Sequence, residues 1–459
     1  MAKSRKPVWW LIGSIVVVIG GLLIACARFG LLSASSRLDE ELRLAKQQGL
    51  PLTLADLHLV SAPEDQNAAP LVVNAVQLMK TLPGTPERDL SYWGSTYWKP
   101  PISDVQAKKA IADLKPILDI ALRASKRPHF DPHWNFSAGS YMNMPEVSDL
   151  KQLAKSFTAR ARFQIHLGHF SDATESLEAA ARLSVLATDQ PEVICLLTRE
   201  LMEASVCAEC ATLLRRDASP ESIGVVKRIV QTFGPLPDLR SAFRGTFLLT
   251  RTGVPQMGFL SDQGPTGGMD DTMYPATYQL MKFKPVEQLN EANFVKFYRM
   301  AYVSVPAHIE SLNQAEASLN KIEEDVEALS PLDRIALDTA FLPSKQTLEN
   351  WARCAARRRI LAAGLDILEA RAKAGVFPEK WSKNGEDGID PFTAKSLGYR
   401  RVGKGFVVYS VDTDRVDDGG RPYVLDDGKN QKDISFEYPT LSVKPVKPVK
   451  PGPPGASAD

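Results

Sequence analysis

Cysteine is scarce. The chain of 459 residues has five, at positions 26, 195, 207, 210 and 354. So few and so scattered, they exclude a disulfide framework for a chain of this length. Histidine is nearly as rare, at six, and forms no tract. An excess of either charge is also missing: 55 Lys and Arg stand against 54 Asp and Glu, a net of +1. There is therefore no broad basic footprint, and nucleic acid is not an expected partner. A nucleophile elbow, a phosphate-binding Gly loop, a zinc-protease helix motif and a dinucleotide fingerprint are all absent from the sequence, so the reactions those motifs serve are not indicated. What is present is 44% apolar residues, enough to fold. The length exceeds one ordinary core, which predicts two domains or one elongated helical domain.

One long hydrophobic run exists, from Val8 to Ala27, behind Lys3, Arg5 and Lys6. At helical rise it spans about 30 Å, the thickness of a bilayer core. Trp9 and Trp10 sit where an interfacial aromatic belt would lie. The run predicts a single-pass transmembrane helix with a cytoplasmic N-terminus, and the bulk of the chain extracytoplasmic at the cell membrane. The alternative is a lipoprotein anchored at Cys26, because Leu23-Ile24-Ala25-Cys26 resembles a bacterial lipobox. A prepilin leader is not matched, since the run carries no acidic residue.

Beyond the run, helical periodicity dominates. Leu38, Leu42 and Ala45 mark a short helix over 36–48, ended by Gly49 and Pro51. Helices are predicted over 68–79, 103–126, 191–216, 285–330 and 344–374, with a Pro-, Gly- and aromatic-rich loop at 82–101. Pro191 suits the first turn of its helix. The clearest hairpin lies at 146–187. Leu150, Leu153, Ala154, Phe157, Ala161 and Ile165 face Ala173, Leu177, Ala180 and Ala181 across the turn Gly168-His-Phe-Ser171. Ser171 is a candidate cap for the second helix. This hairpin resembles a tetratricopeptide-type unit, but no clear repeat of it is found, so it reads as ordinary α-hairpin packing. Residues 252–275 read as a long mobile loop. The 441–459 tail, with repeated Lys-Pro-Val, reads as extended and disordered.

Four places carry candidate chemistry. Asp412, Asp414, Asp417 and Asp418 fall within seven residues before Gly419-Gly420, and Asp426, Asp427 and Asp433 follow. Calcium takes six to eight oxygens, and close carboxylates repel without a cation, so calcium is the candidate metal. The spacing is not that of an EF-hand, and a solvated hairpin turn is the plainer reading. His129, Asp131 and His133 alternate, which on an extended segment would put all three on one face, as a zinc site needs. No fourth ligand is evident, and a polar loop packed by Trp134 is the plainer reading. Cys207-Ala-Glu-Cys210 has redox spacing but sits late in a helix among Leu and Ala, as two buried small residues would. Arg353 and the run Arg357-Arg358-Arg359 read as a solvated helix face, with contact to anionic lipid or to the acidic loop as the alternative.

Two resemblances rest on these residues. Asp390-Pro391-Phe392, Tyr399-Arg400, Tyr409-Ser410 and the Asp-Gly-Gly loop resemble the C-terminal sheet of the type II secretion major pseudopilin, the G protein, over about 350–438. Gly375 to Pro378 matches the helix end that precedes that sheet, and Asp433-Ile434 matches its final strand. The resemblance implies that the loop binds calcium. Asp412 and Arg415 stand where that family usually has Gly. The whole chain also resembles uncharacterised membrane-anchored proteins of planctomycete-type bacteria in Asn67-Ala68-Ala69-Pro70, the 150–187 hairpin, Phe341-Leu342-Pro343 and the Asp-Pro-Phe sheet. That grouping implies no activity.

The expected fold is mainly α. Residues 1–35 form a transmembrane anchor, 36–343 an extracytoplasmic α-hairpin domain, and 344–440 a small α+β module with an antiparallel sheet and an acidic loop. Residues 441–459 form the tail. The expected function is a non-enzymatic, membrane-anchored cell-envelope interaction or scaffolding protein, with the membrane and other envelope proteins as partners. The alternatives are a membrane-tethered metal-dependent hydrolase using His129, Asp131 and His133, and a divergent type II secretion-related subunit.

Overall fold

The computed structural model describes residues 14–22, 24, 33–57, 59, 61–94, 102–256, 279–306, 312–338, 340–383, 385–420 and 433–439. The expected membrane span is corrected here. Among the described residues no helix is long and apolar enough to cross a membrane. Within that run, helix is described over 14–22 and at 24. The rest of the Val8–Ala27 run, with Cys26, lies outside the described residues. The single-pass location and the extracytoplasmic placement drawn from that span are corrected with it.

The helices are α1 (Ala34–Gln47), α2 (Ala69–Lys80), α3 (Pro86–Tyr92), α4 (Asp104–Ala124), α5 (Pro145–Leu167), α6 (Phe170–Leu186), α7 (Val193–Arg216), α8 (Pro220–Phe233), α9 (Leu239–Gly253), α10 (Lys284–Ser304), α11 (Leu312–Glu327), α12 (Ile335–Asp338) and α13 (Lys345–Ala374). Local chemistry accounts for several of their ends. Ser103 closes a full capping box on α4: its Oγ accepts from Gln106 N and its own N–H donates to Gln106 Oε1. Ser219, Asp238 and Ser344 cap α8, α9 and α13. Gly168 ends α5 in the left-handed conformation at φ 78°, and Gly375 ends α13 at φ 76°. Three local expectations differ. Ser171 lies inside α6, which starts one residue earlier behind His169 with no side-chain cap. The α7 cap is Glu192, whose carboxylate accepts from Ile194 N, and Pro191 precedes it. The 82–101 segment contains α3.

α5 and α6 form the expected hairpin, and the stack does not stop there. α7 packs against both α5 and α6, and α8 lies along α6. On the other side the pair α2 and α4 packs onto α5, and α13 closes the stack against α7 and α8. The pairs repeat in space without repeating in sequence, since each connection is built differently: a Gly at 168, an Asp-capped Ser at 219, and a long excursion before α13. α9 packs on α7, and α10 packs on α9 and carries α1. At Gly245 a Cβ would fall 1.6 Å from the Pro191 carbonyl oxygen, so only glycine lets α9 pass the start of α7.

The antiparallel sheet is present as expected. β1 (Gly398–Val402), β2 (Gly405–Ser410) and β3 (Ile434–Tyr438) lie in that order, with Arg400 opposite Val407 and Val408 opposite Phe436. A two-residue turn with Gly403 at φ 55° joins β1 to β2. β2 is buried along its whole length. α13 covers β2 and β3, and one apolar core runs from the hairpin stack through α13 into the sheet. The docking point is Gly364. A Cβ there would lie 2.3 Å from the Phe436 ring. Gly364→Ala is expected to cost about 1–3 kcal/mol by overpacking. Thermal unfolding of the variant measures it, and an unchanged midpoint would show that Phe436 does not rest on α13.

Candidate functional site

The acidic segment after β2 is a turn in which protein donors engage the carboxylates of Asp412, Asp414, Asp417 and Asp433. Asp412 Oδ1 accepts from Arg353 Nε at 2.8 Å and from Thr413 N at 2.8 Å. Asp414 accepts from Val416 N at 3.0 Å. Asp417 Oδ1 accepts from the Tyr409 hydroxyl at 2.9 Å and from Gly419 N at 2.8 Å. Asp433 is buried and accepts from Gly420 N at 2.6 Å and Asp418 N at 3.5 Å. Burial pushes the Asp433 carboxyl up to about 6. The charges of Asp418 and Asp417 add to the rise, and the two backbone N–H groups oppose it. Asp417, Asp418 and Asp433 are thus brought near one another, while Asp412 turns to α13. Among the described residues no group of three or more His, Cys, Asp or Glu could hold a metal ion. Asp426 and Asp427 lie outside the described residues. Asp412 and Arg415 hold φ 56° and 57°, a left-handed backbone that glycine takes more freely. Asp390 latches the same end of the sheet. Its carboxylate accepts from Phe392 N, Ser410 Oγ and Val411 N, all within 3.0 Å.

Arg353 therefore meets the acidic turn, and two of the three neighbouring arginines are not solvated. Arg358 and Arg359 are buried. Arg358 Nε donates to Glu203 Oε2 at 2.6 Å, and its Nη1 donates to Gly234 O. Arg199 donates to Glu203 Oε1 at 2.7 Å and to the Phe233 carbonyl. Glu203, 1% exposed, thus ties α7, α13 and the end of α8 together through two guanidinium groups and the Cys354 thiol. One turn earlier Glu200 is buried with neither carboxylate oxygen hydrogen-bonded. Burial lifts its carboxyl to about 8, the Glu203 charge adds to the rise, and Arg357, Arg358 and Arg199 oppose it. Cys207 and Cys210 lie on the same helix, buried, and burial holds both thiols above their usual range. That is the inert state expected of a packed pair.

The alternating segment 129–133 is pinned by Asn67. The Asn67 amide donates to Asp131 O at 2.6 Å, and its oxygen accepts from Asp131 N at 2.9 Å. The two histidines face different carboxylates. His129 Nδ1 lies 3.8 Å from Asp189, and His133 Nδ1 lies 3.1 Å from Asp131 Oδ2. The three side chains do not converge on one point. Pro132 and a left-handed His133 at φ 53° break the extended geometry that would have aligned them. Asp131 and His133 do line a pocket of 400 Å³ on the outer face of α2, with Asn74, Gln77 and Glu146.

A larger groove of 680 Å³ runs between α3, α5 and α7. Arg88, Lys151, Lys155 and Arg162 line it, against one acid, Glu87. Lys155 Nζ stands 5.5 Å from the Tyr92 ring centroid. Arg162 Nε is paired with the buried Glu209 at 2.7 Å. Leu201, 55% exposed, and Met202 supply an apolar floor from α7. The groove was not singled out from the sequence, although a signal exists. Lys151, Lys155 and Arg162 recur on one face of α5 beside its apolar stripe. Glu200 and Glu203 were missed too, and their signal is two acids at helical spacing inside the Leu196–Leu213 stripe of α7.

No protein-family model, no curated protein and no solved structure matches this chain.

Proposed function

We propose that this chain is an interaction protein whose stacked helical hairpins present the groove between α3, α5 and α7 to an acidic polypeptide segment of a partner. The observation that supports this reading most directly is the charge of the groove: Arg88, Lys151 and Lys155 line it against one acid, Glu87, with Arg162 paired to Glu209, in a chain whose net charge is only +1. Clustered cations raise the local concentration of an anionic partner. The exposed Leu201 beside them suits a segment that carries an apolar side chain among its carboxylates. The volume falls within the ~300–1,000 Å³ range of binding pockets.

The test is fluorescence anisotropy with a labelled Asp/Glu-rich decapeptide containing one Leu, titrated with the full chain. Binding is expected to weaken with rising salt. Lys151→Glu combined with Lys155→Glu is expected to weaken it at least tenfold, about 1.4 kcal/mol. Both residues are exposed on α5, so the fold should survive, and circular dichroism checks that. Equal affinity for a Lys-rich decapeptide would end the proposal. So would an unaffected double variant, or tighter binding of a single-stranded oligonucleotide.

A further inference from the structure

We propose that Asp131 and His133 form a water-activating general-base dyad, and that the pocket beside them hydrolyses small neutral esters. This is independent of the groove and goes beyond it. Three observations meet at one place. Asp131 is 6% exposed, and its carboxylate is fixed by the N–H groups of Ala62 at 3.2 Å and His133 at 2.9 Å. The His133 ring, 71% exposed, turns Nδ1 to Asp131 Oδ2 at 3.1 Å. The backbone of His133 is held left-handed at φ 53°, a costly state for a residue with a Cβ, where its N–H donates to the same carboxylate that its ring faces. A buried carboxylate that orients an imidazole through Nδ1–H leaves Nε2 as the free acceptor and stabilises the imidazolium once formed.

The pocket supplies the remaining parts. Asn74 and Gln77 stand about one turn apart on α2, where their amide N–H groups can donate to an oxyanion. Ala69, Pro70 and Val73 form an apolar wall for a short acyl chain. The acids Asp131 and Glu146 and the lack of any lining cation disfavour an anionic substrate. With no Ser or Cys in the lining, water is the nucleophile. Nε2 takes one proton from water as the water oxygen bonds to the carbonyl carbon. The carbonyl π pair moves to oxygen beside the amides. When the tetrahedral species collapses, the C–O bond to the alcohol breaks and the leaving oxygen takes the proton from Nε2. Acid and alcohol are released, and the imidazole is neutral again.

The experiment is hydrolysis of p-nitrophenyl acetate by the full chain, compared with free imidazole at six times the protein concentration. A rate above that of the imidazole is expected. His133→Gln, an exposed substitution, is expected to lower it about tenfold or more. His129→Ala, whose ring faces Asp189, is expected to leave it unchanged. Asp131→Asn is expected to lower the rate, as the imidazole loses the carboxylate beside its Nδ1. If Asp131→Asn does not fold, the His133→Gln comparison decides alone. No rate above free imidazole, or a His133→Gln rate equal to that of the parent, overturns the proposal.

Discussion

Truncating Glu203 to Ala is expected to destabilise the fold by about 3–5 kcal/mol, the usual cost of removing one member of a buried ion group. The carboxylate is 1% exposed and carries Arg199, Arg358 and the Cys354 thiol. The two guanidinium groups are themselves buried. Removing Glu203 leaves two cations in a poorly solvated place with one anionic neighbour fewer. It also loosens α8, because Arg199 and Arg358 hold the carbonyls of Phe233 and Gly234 at its end only while Glu203 orients them. Lys109→Ala is the control. It removes an i,i+4 pair with Asp113 in which the lysine side chain is 72% exposed, and such pairs contribute under about 1 kcal/mol. Urea unfolding of both variants separates the cases. A Glu203→Ala cost no larger than that of Lys109→Ala would mean that the α7–α13 contact is not an ionic junction.

How much of this was readable from the sequence depends on the range of the interaction. The α5 stripe, the Gly168 and Gly375 helix ends and the antiparallel sheet are set by neighbours a few residues away, and each stands where periodicity or turn chemistry placed it. Charges behave differently. Arg358 and Glu203 are 155 residues apart, and nothing local distinguishes an arginine on a solvated face from one that will meet a distant carboxylate. The run Arg357-Arg358-Arg359 therefore reads as surface until the fold closes over it. The same holds for stacking: one hairpin is visible in α5 and α6, but the alignment of α7 and α8 beside it is decided by long-range packing of unlike sequences. The histidine segment failed for a local reason. Alternation implies one shared face only if the backbone is extended, and His133 is not.

The candidate sites divide along the same line. The aspartates after β2 were visible as a cluster, but their partners were not. The Arg353 guanidinium on Asp412 and the Tyr409 hydroxyl on Asp417 come from α13 and β2. The groove cations lie on two separate helices, and only their spacing within α5 was accessible beforehand. Hydrophobicity alone led to the predicted span near the N-terminus. The described helix there covers too few residues to bear it out.

Stability is expected to fall as pH rises from about 5 to above 8, and Glu200→Gln is expected to remove much of that fall. Glu200 ionises near its ordinary value of 4.5 when the chain is unfolded, but only at about 8 in the fold. Between those values the native state holds a proton that the unfolded state has lost, so each step upward in pH favours unfolding. Below 4.5 both states are protonated and the group is neutral in effect; above 8 both are ionised and the full cost is present. Glu192 acts in the same direction, since burial lifts its carboxyl to about 7 against the donors Thr246, Ile194 and Val193. Asp433, at about 6, adds a smaller part. The Glu200 shift alone corresponds to several kcal/mol at about 1.4 kcal/mol per pKa unit. A neutral amide at position 200 keeps the shape without the charge, so the variant and the parent should differ little at pH 5 and by about 2–5 kcal/mol at pH 9. Denaturant unfolding at four pH values between 5 and 9 measures the slope. Parallel curves for the two proteins would place the Glu200 carboxylate in contact with water or with a donor, and the unpaired acid at the α7–α13 junction would then have no bearing on stability.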